Sequence, residues 1–194
     1  MPTTFQVLSL LALTFVSEAP RQPSFRTGDV VLQTSRSAMS LPIREATHSP
    51  WSHTGLIEVA EDGVFVLEAV QPVSRTPWAK WRARGEGTTV KVLRLKGLDP
   101  KSAARSVQWA TRMIGHPYDV RFGWDDDALY CSELVVKALE YGSGIRVGHF
   151  DRLDALELSK AARAMAEKLG VPLSTEVVTP ASLDHDARFE VVYP

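Results

Sequence analysis

Short apolar and β-branched runs bounded by turn residues dominate the first half of the chain, and apolar residues at helical spacing dominate the second. Asp29–Thr34 (DVVLQT), Trp51–Val59 and Val64–Val70 (VFVLEAV) have the length and side chains of strands. Ala60-Glu61-Asp62-Gly63 joins the last two, and its Asp-Gly pair favours a tight primed turn, so they form a hairpin. Thr88–Leu95 (TTVKVLRL) alternates apolar and polar residues and predicts a further strand after a turn at Gly85-Glu86-Gly87. A short helix is expected over Leu41–Thr47, and Trp78 and Trp81 stand at helical spacing within Arg75–Arg84. Pro100–Ile114 reads as an amphipathic helix with Pro at its start and Gly115 past its end. Cys131–Tyr141 (CSELVVKALEY) reads as an apolar helix stopped by Gly142, and Asp154–Leu169 as a third helix followed by Gly170. Thr179–Asp184 has room for one turn of helix, and Ala187–Tyr193 for a terminal strand. Strands gathered as hairpins, with the helices segregated from them, predict an α+β domain built on an antiparallel sheet.

The start of the chain differs from the rest. Phe5–Val16 is an uncharged apolar run followed by Ser17-Glu18-Ala19, the small-x-small pattern of a secretory signal cleaved after Ala19. MPTT supplies no Lys or Arg, and Pro20 follows the cut, so an uncleaved apolar helix or membrane anchor is the alternative. The expected organisation is a signal over residues 1–19 and a single domain over 20–194, exported to the periplasm or beyond, or held at a membrane. The 22 basic and 23 acidic residues leave a net charge of −1, without the basic footprint of a nucleic-acid-binding protein. One cysteine excludes an intrachain disulfide and a multi-Cys zinc site.

That cysteine, Cys131, stands at or near a helix start, where unpaired N–H groups and the helix dipole favour a thiolate. The other reading is a small buried hydrophobe. Asp125, Asp126 and Asp127 precede it; one could cap the helix, but carboxylates facing the sulfur would oppose the thiolate. A thiol nucleophile needs a base, and His53 lies on an expected strand. His48, His116, His149 and His185 lie in loop-like stretches, and a core or surface role for His53 is the bland reading. Glu68 is the ionisable residue of the return strand, about 5 Å from a cross-strand neighbour, and could orient an imidazole. Standing between Leu67 and Ala69, it could equally face water.

The segments GDVVLQTS, ATHSPWSHTGLI, VFVLEAV, GHPYD and WDDDALYCSELVVKAL resemble the permuted papain-like amidases of the YaeF/YiiX type, within the NlpC-related cysteine hydrolases. The resemblance runs from about Gly28 to Tyr141, with a weaker echo at Thr179–Leu183. It implies a permuted papain-like fold, an antiparallel sheet or half-barrel packed against helices, with the His on a strand preceding the Cys on a helix. It further implies Cys131 as nucleophile, His53 as base and Glu68 as orienter. Tyr118 and Tyr130 match too, as pocket or oxyanion residues or as packing. Ser132 and Glu133 read as first-turn helix residues, and Trp51 and Trp124 as an apolar wall or as core. No cofactor is implied. A metal site built from His48, His53 and Cys131 matches no standard zinc spacing.

The activity so implied is cleavage of an amide, in a small peptide or a cell-wall fragment. Lipid esterase, thioesterase or acyltransferase chemistry is the alternative, as is a non-catalytic binding module. A long apolar groove beside Cys131 would favour an acyl-lipid substrate, and with it membrane proximity; a polar cleft would favour peptide. The tail after Asp151 either covers the site or completes the sheet.

Overall fold

A computed structural model describes residues 24–194. The signal or anchor segment expected over residues 1–19 lies outside the described residues. The expected strands pair through their backbones into one six-stranded antiparallel sheet. Its strands are β1 (Val30–Ser35), β2 (His53–Ala60), β3 (Gly63–Glu68), β4 (Ser74–Pro77), β5 (Gly85–Leu95) and β8 (Phe189–Tyr193), in the order β4-β3-β2-β1-β5-β8. A separate two-stranded ladder joins β6 (Phe150–Arg152) to β7 (Glu176–Val178). The helices are α1 (Ser40–Thr47), α2 (Trp78–Ala83), α3 (Pro100–Arg112), α4 (Cys131–Ser143), α5 (Lys160–Leu169) and α6 (Pro180–Asp184).

Alternation along the strands divides the core between the two faces of the sheet. Val30, Leu32, Leu56, Leu67, Leu93 and Leu95 meet Val107 and Ala110 of α3 and Leu134 and Leu139 of α4. The intervening residues Val31, Ile57, Val66, Val90 and Val92 pack against Trp81 of α2 on the other face. Each such aliphatic side chain, removed from water, contributes about 1.5–3 kcal/mol. Asp99 accepts from the N–H groups of Lys101 and Ser102 and starts α3 ahead of Pro100.

The structure departs from the sequence reading at several elements. Gly142 does not end α4, which runs to Ser143 and closes on Gly144 in the left-handed region (φ 75°). Gly142 is instead where α3 crosses: a Cβ there would collide with Ser106 and with the Ser102 carbonyl. The helix expected over Asp154–Leu169 is divided. A 3₁₀ turn at Leu153–Ala155 is followed by an extended Leu156, and α5 begins only after Ser159, whose side chain accepts from Ala162 N. Gly85-Glu86-Gly87 lies within β5 and is no turn. Strands β4, β6 and β7 carry no strong hydrophobic alternation in their three or four residues, and the sequence reading passed over them.

Candidate active site

The β2–β3 ladder pairs Leu56 with Leu67, so its register carries Glu68, the last residue of β3, opposite Gly55. His53, the first residue of β2, is two residues along on the same face. Gly55 has no side chain to come between them, and the Glu68 carboxylate meets the imidazole, with Nε2 and Oε2 2.6 Å apart. Trp81 stacks on the ring at 6.2 Å between centroids. Glu68 is fully buried, and it accepts two further hydrogen bonds through Oε1, from Thr76 Oγ1 at 2.6 Å and from the Arg84 guanidinium. A position that alternation would give to solvent is thus enclosed by α2 and β4.

Cys131 is the first residue of α4, with Tyr130 as N-cap in an extended conformation. Cys131 is 4% exposed and lies near enough to the His53 imidazole to favour its protonation. With Nε2 committed to Glu68, Nδ1 is the ring nitrogen that Glu68 leaves unengaged. The three preceding aspartates are all exposed; Asp126 pairs with Lys137 at 2.9 Å, and Asp125 accepts from Asp127 N. None caps α4, because the helix begins four residues after Asp127.

Electrostatics follow from this enclosure. Burial opposes a charged His53, but the hydrogen bonds to Cys131 and Glu68, and the charges of both, outweigh it and push the pKa up from 6.5 to about 9. Burial likewise opposes a charged Glu68, and His53, Thr76 and Arg84 together hold its carboxyl below the usual carboxylate range. Burial, then the neighbouring Cys131 and Tyr130, keeps the Tyr118 phenol protonated far above its ordinary range. Burial also raises the Tyr130 phenol. Its oxygen accepts from Val178 N at 3.2 Å, while Ser132 Oγ donates to Val178 O at 2.7 Å. These two bonds tie the start of α4 to β7. Glu133 accepts from Tyr130 N at 3.1 Å, and burial, opposed by Lys137, pushes its carboxyl up to about 7.

A cavity of about 300 Å³ opens at Cys131. Tyr118, Phe122 and Tyr130 form one side of it, Met39 and Ile43 another. The tail after Asp151 provides the far wall. Ala161, Ala162, Met165, Ala166 and Leu169 recur every three or four residues along α5 and turn one apolar stripe to this space. The tail also completes the sheet through β8. Trp51 is not a wall: it lies in the core, its Nε1 donating to Asp184 at 2.8 Å. Trp124 packs edge-on against Phe150 on the surface.

The remaining histidines lie elsewhere. His48 faces Glu157 at 3.2 Å, His149 faces Asp151 at 3.1 Å, and His116 contacts Met113 O through Nδ1 at 2.9 Å. Thr76 and Arg84 were missed because neither stands near a recognisable motif. Pairing of β3 with β4, and the position of Arg84 just past α2, bring them in.

A family model described as permuted papain-like amidase enzyme, YaeF/YiiX, C92 family, matches residues 24–193. The chain is 38% identical over 182 residues to the uncharacterized protein YiiX of Escherichia coli (strain K12), covering 90% of this chain and 89% of that one. It is also similar to a solved structure described as metalloprotein yiiX from Escherichia coli O157:H7. There the TM-score is 0.81 and the identity 38%, over 87% of this chain and 96% of the other.

Proposed function

The chain belongs to the permuted papain-like amidase family of the YaeF/YiiX type, and from that premise we propose that it is a cysteine hydrolase that releases an apolar acyl group through an acyl-enzyme on Cys131. The observation that carries the reading is the placing of Cys131 at a helix start, close to His53 and open to an apolar cavity.

The thiolate attacks the carbonyl carbon, forming a C–S bond. Unpaired N–H groups in the first turn of α4, with the protonated Tyr118 phenol, stabilise the oxyanion. The tetrahedral intermediate collapses, the bond to the leaving nitrogen or oxygen breaks, and His53 gives that atom its proton. Neutral His53 then takes a proton from water as the hydroxide adds to the acyl carbon. The C–S bond breaks, and the acid, the thiolate and the imidazolium are regenerated. Glu68 holds the ring in the orientation that points Nδ1 at sulfur.

The family description supports an amide as the bond cleaved. The apolar cavity supports a hydrocarbon acyl group over a charged cell-wall peptide, since polar peptide groups there would lose water without gaining partners. An acyl ester is the second reading, with the same steps. The described relative is named a metalloprotein. Among the described residues of this chain no three His, Cys, Asp or Glu side chains converge to hold a metal ion. The donor set does not fit one, and no step passes through it.

The test is turnover of fatty N-acyl amides and fatty acyl esters of graded chain length beside peptidoglycan fragments. Faster release from the fatty substrates, abolished by Cys131→Ala, is the expected result. Turnover of the peptide fragments alone would overturn the apolar-acyl reading.

A further inference from the structure

The apolar cavity accounts for one side of a substrate. A second hollow, of about 420 Å³, opens beside His53 and adjoins the first along Met39, Ile43 and Tyr118, so that Cys131 lines one and His53 the other. Their linings differ in kind. The second adds Gln33, Ser35, Arg36, Ser37 and Arg84 to the apolar Ala69, Val70 and Ala83, with no Asp or Glu among its lining residues. Arg84 is engaged by Glu68. Arg36 is exposed and forms no ion pair with a carboxylate among the described residues. Gln33, which pairs with His53 across β1 and β2, is 1% exposed, and its Oε1 has no hydrogen-bond partner. That oxygen is enclosed against Gly85, where a Cβ would come within 2.6 Å of it, so Gln33 closes one side of the hollow without offering the oxygen to it.

Chemistry fixes which part of a substrate goes there. The atom that leaves must lie within hydrogen-bond reach of His53. Whatever is attached to it extends into the space on the imidazole side, not into the acyl cavity. The geometry points to a leaving-group subsite in this hollow, for a small group that bears an anionic oxygen group, carboxylate or phosphate, for Arg36. The substrate class is then an acyl chain joined through an amide or ester to an anionic head. In turnover the acyl–heteroatom bond breaks, the His53 proton goes to the heteroatom, and the anionic head departs through this hollow past Arg36. This inference rests on the hydrolase reading for its direction, though not for its test.

Binding is measured with Cys131→Ala protein, which needs no turnover. N-Dodecanoylglycine is compared with N-dodecanoylglycinamide, and 1-dodecanoylglycerol 3-phosphate with 1-dodecanoylglycerol. In at least one pair the anion binds more tightly, by about tenfold or more; the pair with the larger ratio tells carboxylate from phosphate. Adding Arg36→Ala brings that ratio near one, and Arg36→Lys restores most of it. Equal binding within both pairs, a ratio indifferent to Arg36, or no binding of any of the four overturns the subsite. Wild-type protein that prefers the anion yet turns over none of the four leaves the subsite standing and defeats the hydrolase reading.

Discussion

His53 is held by opposing forces whose balance sets a pH window. Burial disfavours the imidazolium, yet Cys131 and Glu68 keep it protonated to about pH 9. Its pKa is raised on folding, so the stability it contributes is complete below 6.5 and lost as pH rises through about 9. Glu68 is depressed, and its contribution is present above 4.5 and lost as pH falls below that value. Activity is therefore expected to decline along an alkaline limb near pH 9. Glu68→Gln removes the anion that sustains the imidazolium, so the limb moves to lower pH and turnover falls by about tenfold or more, without unfolding. A limb and a rate that stay where they were would remove Glu68 from the mechanism. Glu133 runs the other way from Glu68. Its carboxyl is raised from 4.5 to about 7, so folding stability falls as pH climbs through that interval. Urea unfolding from pH 5 to 8 should show this decline in wild-type protein and a weaker one in Glu133→Gln. The meeting of His53 and Glu68 was legible in hairpin geometry. The depth of Glu68 was not, because its alternation within β3 gives no sign that α2 and β4 cover that face.

Among the elements, α4 shows how far a local signal reaches. Glycine is the usual helix terminator, and of two glycines near its end the sequence reading chose the first. Tertiary packing decides otherwise, since α3 lies so close that position 142 admits no Cβ. Gly142→Ala should gain about 1 kcal/mol of helix propensity. It also forces the backbone of α3 away at Ser102 and Ser106, an overpacking cost of about 1–3 kcal/mol. The expected sum is a loss of stability, read as a lower urea midpoint with an unchanged slope; a higher midpoint would contradict the close crossing. Apart from β4, the strands of the large sheet were legible in their β-branched and alternating runs. The break at Leu156–Ser159 was not, because an Ala- and Lys-rich stretch has helical propensity throughout, and contacts with β7 and the cavity select where it becomes a helix.

In the whole molecule, the order of the chain places His53 on β2 and Cys131 on α4, and the tail returns to wall the cavity at Cys131. Two bonds to Asp184, from Lys91 Nζ at 2.7 Å and Trp51 Nε1 at 2.8 Å, fasten α6 to the sheet and β2 entrance. Helix α5 has no fully buried residue; Ala166 and Leu169 pack half-buried against Leu153, Val171 and Val177, and the rest of its apolar stripe faces the cavity. Ala162→Phe fills part of that cavity from the side of α5. It should shift the preferred acyl chain to a shorter one while iodoacetamide labelling of Cys131 proceeds as before; an unchanged chain-length profile would mean the acyl group lies elsewhere. The cavity could not be read from sequence, since its walls come from segments far apart in the chain.

The central claim is that His53 activates Cys131. The rate of iodoacetamide labelling from pH 5 to 10, compared between wild type and His53→Ala, tests it most directly. The account predicts rapid labelling of wild-type protein at pH 6–7, and in His53→Ala a rate that becomes appreciable only toward the pH of an ordinary thiol, about 8.5. Superimposable curves, or a thiol inert in both proteins, would contradict it.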